Sequence, residues 1–190
     1  FLDLAGYDTT TFTPVQSRRH LLGFSVTGEI AGVGLWAEAA YNMMRRDDWD
    51  TLTKVGRDDW FEVLGGINYT FRCGVMVMAE YLYNHRGRDE SEDYTLLDWF
   101  SWLDQTLRYM GKHYVTATVQ VPVTRIHTTF SLTGIVNASD HSFLINPWIT
   151  VEWTQWLSVM FYGAITWGDS RTDEFSSSGQ AGYVRFRFSF

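Results

Sequence analysis

Residues 183–190 read Tyr-Val-Arg-Phe-Arg-Phe-Ser-Phe, a stretch in which apolar and polar side chains alternate one by one. An extended strand places alternate side chains on opposite faces. The stretch therefore predicts a β-strand with two chemically different sides. The apolar side holds Val184, Phe186, Phe188 and Phe190, and the other side holds Tyr183, Arg185, Arg187 and Ser189.

The same period of two recurs along most of the chain, so we predict an all-β protein. Nine strands are expected, near 20–30, 32–43, 58–71, 74–85, 109–120, 124–136, 142–154, 157–168 and 180–190. A further strand over residues 1–12 would bring the number to ten.

The connections between these strands fall into two kinds. Short turns are expected at 30–32, 72–74, 121–123 and 154–156. Polar connections fall at 44–57, 86–107 and 169–179, with a shorter one at 137–141. Short turns at one end and long loops at the other are typical of an antiparallel up-and-down barrel in a bacterial outer membrane.

Apolar residues in the second half of the 86–107 connection recur at roughly helical spacing and form an apolar patch. They are Leu96, Leu97, Trp99, Phe100, Trp102, Leu103 and Leu107. Three placements are compatible with this pattern: inside the mouth of a barrel, against a partner subunit, or on the outer leaflet.

Composition and charge narrow the class of protein. The 190 residues are 45% hydrophobic and 17% aromatic, yet no stretch of 18 predominantly apolar residues is present. A membrane helix is therefore not expected, and the chain would have to cross a bilayer as a closed barrel.

The net charge of −7 argues against a nucleic-acid partner, and the single Cys73 rules out an intrachain disulfide. Because the sequence opens with Phe1 and carries no signal peptide, we expect a processed chain or a segment of a longer one.

Charged residues within the strands are expected on the polar side, as a lipid-facing apolar side requires. An Arg or Lys at the bilayer midplane costs about 2–4 kcal/mol. The acids lie mainly on the first four strands and the bases on later ones, a distribution that could set a transverse field across a water-filled lumen. Alternatively, Arg187 and Glu29 simply cap one rim. The candidate lumen residues are Glu29, Glu38, Glu62, Glu80, Glu152, Arg125, His127, Arg185 and Arg187.

Aromatic residues cluster near the strand ends, which indicates two girdles at the membrane–water boundaries. Ordinary packing of large side chains within a sheet is the alternative. The residues concerned are Tyr41, Trp49, Trp60, Phe61, Tyr81, Tyr83, Trp153, Trp156 and Trp167.

The chain terminus resembles the C-terminal strand that outer-membrane barrels present to their assembly machinery. Tyr183, Val184, Phe186, Phe188 and Phe190 carry this resemblance.

Most of residues 20–190 resembles the porin-like outer-membrane proteins of Gram-negative bacteria. The resemblance rests on the sequences at 34–38, 66–71, 79–84 and 185–190 and on the strand around Pro147. It implies passive diffusion of small polar solutes through a transmembrane barrel, without a cofactor or a reaction. The implied partners are outer-membrane lipid, the barrel-assembly machinery, and a homo-oligomer or larger membrane complex. Such proteins are usually longer, so either these residues would be the C-terminal part of a larger barrel or the preceding strands would be absent.

Three alternatives remain open. The first is a non-conducting barrel that displays its loops. The second is a barrel hydrolase using His113 or His127, although the five histidines have no metal-ligand spacing and no catalytic motif is present. We therefore expect no enzyme activity. The third is a soluble lipocalin-like barrel, in which the apolar side chains would fill the interior.

Overall fold

A computed structural model of the chain describes residues 19–44, 59–103, 109–168, 172–176 and 179–189. Within these ranges the protein forms nine β-strands, one α-helix and two short 3-10 helices. The strands are β1 (Arg19–Ile30), β2 (Val33–Met44), β3 (Trp60–Thr70), β4 (Met76–Asn84), β5 (His113–Val123), β6 (Thr128–Asn137), β7 (Ser142–Thr154), β8 (Leu157–Trp167) and β9 (Ala181–Phe188). The helix is α1 (Leu96–Leu103), and the 3-10 helices are Ser91–Asp93 and Thr124–Ile126.

The strands form one sheet in chain order, and each strand pairs antiparallel with the next. The predicted all-β, antiparallel up-and-down arrangement is confirmed. Among the described strands, β1 and β9 pair on one side only, so the described sheet is open rather than a closed barrel. The additional strand predicted over 1–12 lies outside the described residues.

Turns at one end of the sheet are short because their backbones match the twist of the strands. Ala31 and Gly32 link β1 to β2 with positive φ angles of 52° and 79°. Two consecutive positive φ angles belong to the type I′ hairpin turn. Gln155 and Trp156 link β7 to β8 beside a β-bulge at Glu152–Thr154. The opposite end carries the longer connections, as predicted, although most of 44–57 lies outside the described residues.

The expected boundary between the fifth and sixth strands is wrong. Pro122 suggested a turn at 121–123, but these residues belong to β5, and the turn is Thr124–Ile126 followed by His127. The last pair between β4 and β5 is Met76 with Gln120. Beyond it β5 has a described neighbour on its β6 side only, and a proline is tolerated in a strand where one edge is unpaired.

The register divides the sheet into two continuous faces, which we call the apolar face and the polar face. The apolar face contains Val119 paired with Leu132, and the polar face contains Gln120 paired with Ser131. In the centre of the sheet the polar face is the more enclosed of the two: Ser131 is 5% exposed, whereas Leu132 is 50% exposed. A soluble lipocalin-like barrel would have the reverse arrangement.

A small residue at Gly66 allows a large side chain to lie across the polar face. Trp36 on β2 pairs with Gly66 on β3, and a Cβ added at Gly66 would lie 2.3 Å from the Trp36 indole. By contrast, a Cβ at the adjacent Gly65, on the apolar face, would meet nothing within 4 Å.

We therefore expect Gly66→Ala to destabilise the folded protein by about 1–3 kcal/mol, because the Trp36 ring must move out of its packed position. Reversible urea unfolding in detergent, followed by tryptophan fluorescence, measures this change. Gly65→Ala is the matched control and should leave the unfolding midpoint nearly unchanged. Equal midpoints for the two variants would contradict the packing of Trp36 over Gly66.

Candidate functional site

The register places seven of the nine candidate lumen residues on the polar face. Five are carboxylates and two are guanidinium groups. The two ion pairs found among the described residues, Arg88–Asp98 and Lys112–Asp89, involve none of them. The seven are Glu29, Glu38, Glu62, Glu80, Glu152, Arg185 and Arg187.

The expectation for the other two candidates is wrong. Arg125 lies in the 3-10 helix before β6, and His127 follows it with a left-handed backbone (φ 48°, ψ 42°). Both side chains are exposed at the short-turn end. Alternation cannot be carried through a turn, because a helical turn does not keep the period of two.

The C-terminal strand has the predicted alternation. Val184, Phe186 and Phe188 lie on the apolar face of β9, opposite Phe161, Val159 and Leu157 of β8. Tyr183 lies on the polar face, where its ring stacks on that of Tyr162 at 4.8 Å between centroids. Phe190 lies outside the described residues.

A recess with a volume of about 740 Å³ opens on the polar face at the long-loop end of β1–β4. We call it the loop-end recess. Carboxylate, carboxamide, guanidinium and aromatic groups line it, beside several leucines. The polar and aromatic lining residues include Glu38, Asn42, Trp60, Glu62, Asn84 and Arg86.

Trp60, the first residue of β3, holds two of these groups in place. Its ring is buried, and the Arg86 guanidinium carbon lies 5.2 Å from the ring centroid, within range of a cation–π interaction. The indole Nε1 donates a hydrogen bond of 3.4 Å to Glu62 Oε1. One aromatic ring thus orients a cation and a carboxylate on the wall of the same recess.

Two buried asparagines at the recess differ in how well they are hydrogen-bonded. Asn84 Nδ2 donates to the carbonyl oxygens of Tyr109 and Gly111, each at 3.2 Å, and Asn84 Oδ1 accepts from the backbone N–H of Arg86. Asn42 is only 3% exposed, and its Oδ1 has no hydrogen-bond partner. A buried acceptor without a donor is uncommon in native proteins.

A second polar cluster, which the sequence patterns did not predict, joins the loop ends of β5–β7. Asp140 organises it: Oδ1 accepts from the backbone N–H and the hydroxyl of Ser142, and Oδ2 accepts from the Tyr94 hydroxyl and the Glu174 backbone N–H. The sequence 137–142, Asn-Ala-Ser-Asp-His-Ser, carries the residues that favour such local side-chain-to-backbone bonds. Its long-range partners give no signal in the sequence.

Glu174 lies at the centre of this cluster and is 1% exposed. Its carboxylate accepts hydrogen bonds from the Tyr114 hydroxyl, from Asn137 Nδ2 at 2.9 Å and from the Met110 backbone N–H at 3.3 Å. Burial raises the pKa of Glu174 from its usual 4.5 to about 7, the hydrogen bond from Tyr114 opposes this rise, and the nearby Asp140 adds to it.

The loop segment 172–176 should therefore be held more firmly at low pH. Between about pH 4.5 and 7 the buried Glu174 binds more protons than an exposed glutamate would. The free energy that holds the segment in place hence falls as the pH rises through this window and is constant above it.

Hydrogen exchange of the Glu174 and Phe175 amides, corrected for intrinsic rates, measures this effect. Protection should decrease from pH 5 to about pH 7 in the wild type, and should depend little on pH in Glu174→Gln. Glu92→Gln, at an exposed position in the same group of loops, is the control and should keep the wild-type profile. If the protection of these amides in the wild type does not change with pH, the burial of the Glu174 carboxyl is contradicted.

The long connection contains α1, in the stretch whose apolar residues recur at roughly helical spacing. Thr95 precedes it, and its hydroxyl and backbone N–H donate to Asp98 Oδ2 at 2.8 and 2.9 Å. Arg88 Nε also donates to Asp98, at 3.1 Å. Through the Tyr94–Asp140 hydrogen bond this connection is attached to the loop end of the sheet.

The two histidines considered for a hydrolase lie far apart. His113 begins β5 at the long-loop end, where its Nδ1 is 2.6 Å from the Tyr81 hydroxyl on the apolar face. His127 lies beyond the other end of this 11-residue strand. They cannot act on one substrate within a single site.

Among the described residues, no group of three or more histidines, cysteines and acids is arranged to hold a metal ion. In the same ranges, neither α1 nor the 3-10 helices have the length and apolar character of a membrane-spanning helix.

No family model, no curated protein and no solved structure matches this chain.

Proposed function

We propose that this chain is an outer-membrane porin-like channel, or part of one, for passive diffusion of small hydrophilic solutes or ions. The observation that carries the proposal is the apolar face, which runs through all nine strands and has many exposed large side chains. Phe24 at one edge of the sheet is 69% exposed, and Phe186 at the other is 62% exposed. Soluble monomers rarely expose continuous apolar patches larger than a few hundred Å².

Hydrocarbon is the environment that suits such a surface, and the dimensions of the strands support this. β8 has 11 residues and is about 36 Å long at 3.3 Å per residue. At the tilt of about 45° common in barrels, it would rise about 25 Å, the height of the apolar band of outer-membrane barrels.

Aromatic side chains at both ends of the apolar face also support a membrane location. At the long-loop end, Phe143 stacks on Trp167, with 6.4 Å between ring centroids. At the short-turn end, Trp156 stacks on Phe188, also at 6.4 Å. Two such bands correspond to the girdles expected at the two membrane–water boundaries.

Closure of the sheet into a barrel is part of the proposal, and strand direction constrains it. In an antiparallel meander β1 and β9 run in the same direction, so pairing them directly would create a parallel contact. An odd number of additional strands restores antiparallel pairing at both edges. The segment predicted as a strand over 1–12 would supply one, and strands of a longer protein could supply more.

Charges on the polar face would set the ion preference of the channel. Among the seven candidate lumen residues on this face, the five carboxylates outnumber the two guanidinium groups by three. We therefore propose that the lumen favours cations, because like-charged anions are repelled from an acidic pore.

Conductance across a planar lipid bilayer tests the channel. The purified, folded protein should produce stepwise openings, and a KCl gradient should give a reversal potential of the sign for cation selectivity. The double variant Glu38→Gln, Glu62→Gln should reduce this potential. A correctly folded protein that never conducts would overturn the proposal and favour the loop-displaying barrel.

Large side chains on the polar face are the specific observation behind that second candidate. Trp36 lies across Gly66, and Trp148 pairs with Tyr162 on the same face. In a barrel of about ten strands, interior side chains of this size can fill the lumen.

A matched pair of arginine substitutions tests the membrane location. Val119→Arg on the apolar face should weaken folding into lipid vesicles by about 2–4 kcal/mol, because it places a charge against hydrocarbon. Gln120→Arg, one residue further along the same strand and on the polar face, should fold nearly as well as the wild type. Heat-dependent mobility in gel electrophoresis reports the folded fraction. Equal losses in the two variants would contradict a lipid-facing apolar face.

A further inference from the structure

We propose that the loop-end recess is a binding site for small alkylamine cations, with the carboxylates of Glu38 and Glu62 as the groups that bind the ammonium. The inference deepens the proposed function: the use of the site in solute selection rests on the channel, whereas binding itself does not.

The floor and rim of the recess follow from the strand register. At the centre of the recess lie two small residues, Ala40 on β2 and its β1 partner Gly23, and Glu62 of β3 lies on the other side of Ala40. Glu38 and Asn42 are the neighbours of Ala40 on the same face of β2. Glu38 and Glu62 are therefore diagonal neighbours, about 7–8 Å apart along the sheet. The recess therefore has small residues at its centre and polar groups around its rim.

Carboxylate and carboxamide oxygens at this rim provide several hydrogen-bond acceptors, beside the guanidinium donors of Arg86. The carboxylates of Glu38 and Glu62 are exposed, and Asn42 adds a buried Oδ1 that lacks a donor. The amide of Asn84 is already engaged with backbone groups of the loop. A ligand that fits this rim must bring donors, and an ammonium group brings three in a compact volume.

Charge favours a cation as well. Among the described residues that line the recess, the two carboxylates exceed the one guanidinium, that of Arg86, which lies over the Trp60 ring. A net negative recess with partly apolar walls concentrates small cations.

Apolar side chains in the recess distinguish an alkylamine from a bare inorganic cation. Leu64 lies directly opposite Glu38, and Leu82 lies opposite Leu64 on the next strand. Both line the recess. A short alkyl chain attached to the ammonium can cover these leucines, and burial of that apolar area adds to the binding.

Equilibrium dialysis of the folded full chain in detergent micelles, with labelled butylammonium as the probe, tests the site at constant ionic strength. We expect saturable binding to one site. Glu38→Gln and Glu62→Gln should each weaken it by about threefold to tenfold, and the double variant by more. Glu152→Gln removes a polar-face carboxylate outside the recess and should bind like the wild type. Butyrate, of equal chain length but opposite charge, should not compete.

Three results would overturn the site: binding that does not saturate, wild-type affinity in the folded double variant, or equal weakening by Glu152→Gln. Conductance on the same preparations separates this inference from the channel proposal. A protein that conducts but does not bind butylammonium retains the channel and loses the site. A protein that binds but does not conduct retains the site and loses the channel.

Discussion

The alternation of side chains along an extended strand is the constraint on which the whole structure depends. Neighbouring residues of a strand point to opposite faces. The order of apolar and polar residues along the chain therefore determines the chemistry of both faces. Antiparallel registers without a slip carry this division from Phe24 on β1 to Phe186 on β9. A slip of one residue would exchange the two faces of a strand, so the pattern excludes such a slip but permits a slip of two residues. The one β-bulge, at Glu152–Thr154, lies next to a turn, where it disturbs little of the division.

Loop contacts concentrate at one end of the sheet, and so do the groups with binding chemistry. The buried Asp140 and Glu174 tie the connections around Tyr94 and Phe175 to the ends of β5–β7. The loop-end recess lies at the same end, on β1–β4. A rigid sheet that positions polar loops is a common way of building a binding site. In the proposed channel, this end would form the mouth through which solutes enter.

In the described sheet, the outer edges of β1 and β9 have no paired strand, which raises a separate physical question. Open edges present unpaired N–H and C=O groups, which lipid cannot satisfy. The proposed membrane location and the proposed closure are therefore linked, since an open sheet would not be stable in hydrocarbon. The parallel directions of the two edges determine that additional strands must come in odd number if every pair is to be antiparallel.

The sequence by itself determined the strands and the chemistry of their two faces, because a period of two is a local property of the backbone. It also predicted the division between short turns and long loops, and it showed roughly helical spacing in the segment that forms α1. It misplaced Arg125 and His127 because Pro122 suggested a turn that in fact comes later in the chain. The proline is tolerated in β5 because pairing with β4 has already ended, which the neighbouring residues in the sequence do not reveal. Only the tertiary structure brought Glu174 to Tyr114, 60 residues apart in sequence, and placed Ala40 between the polar groups of the recess. Such contacts depend on register and loop paths, which no local pattern encodes.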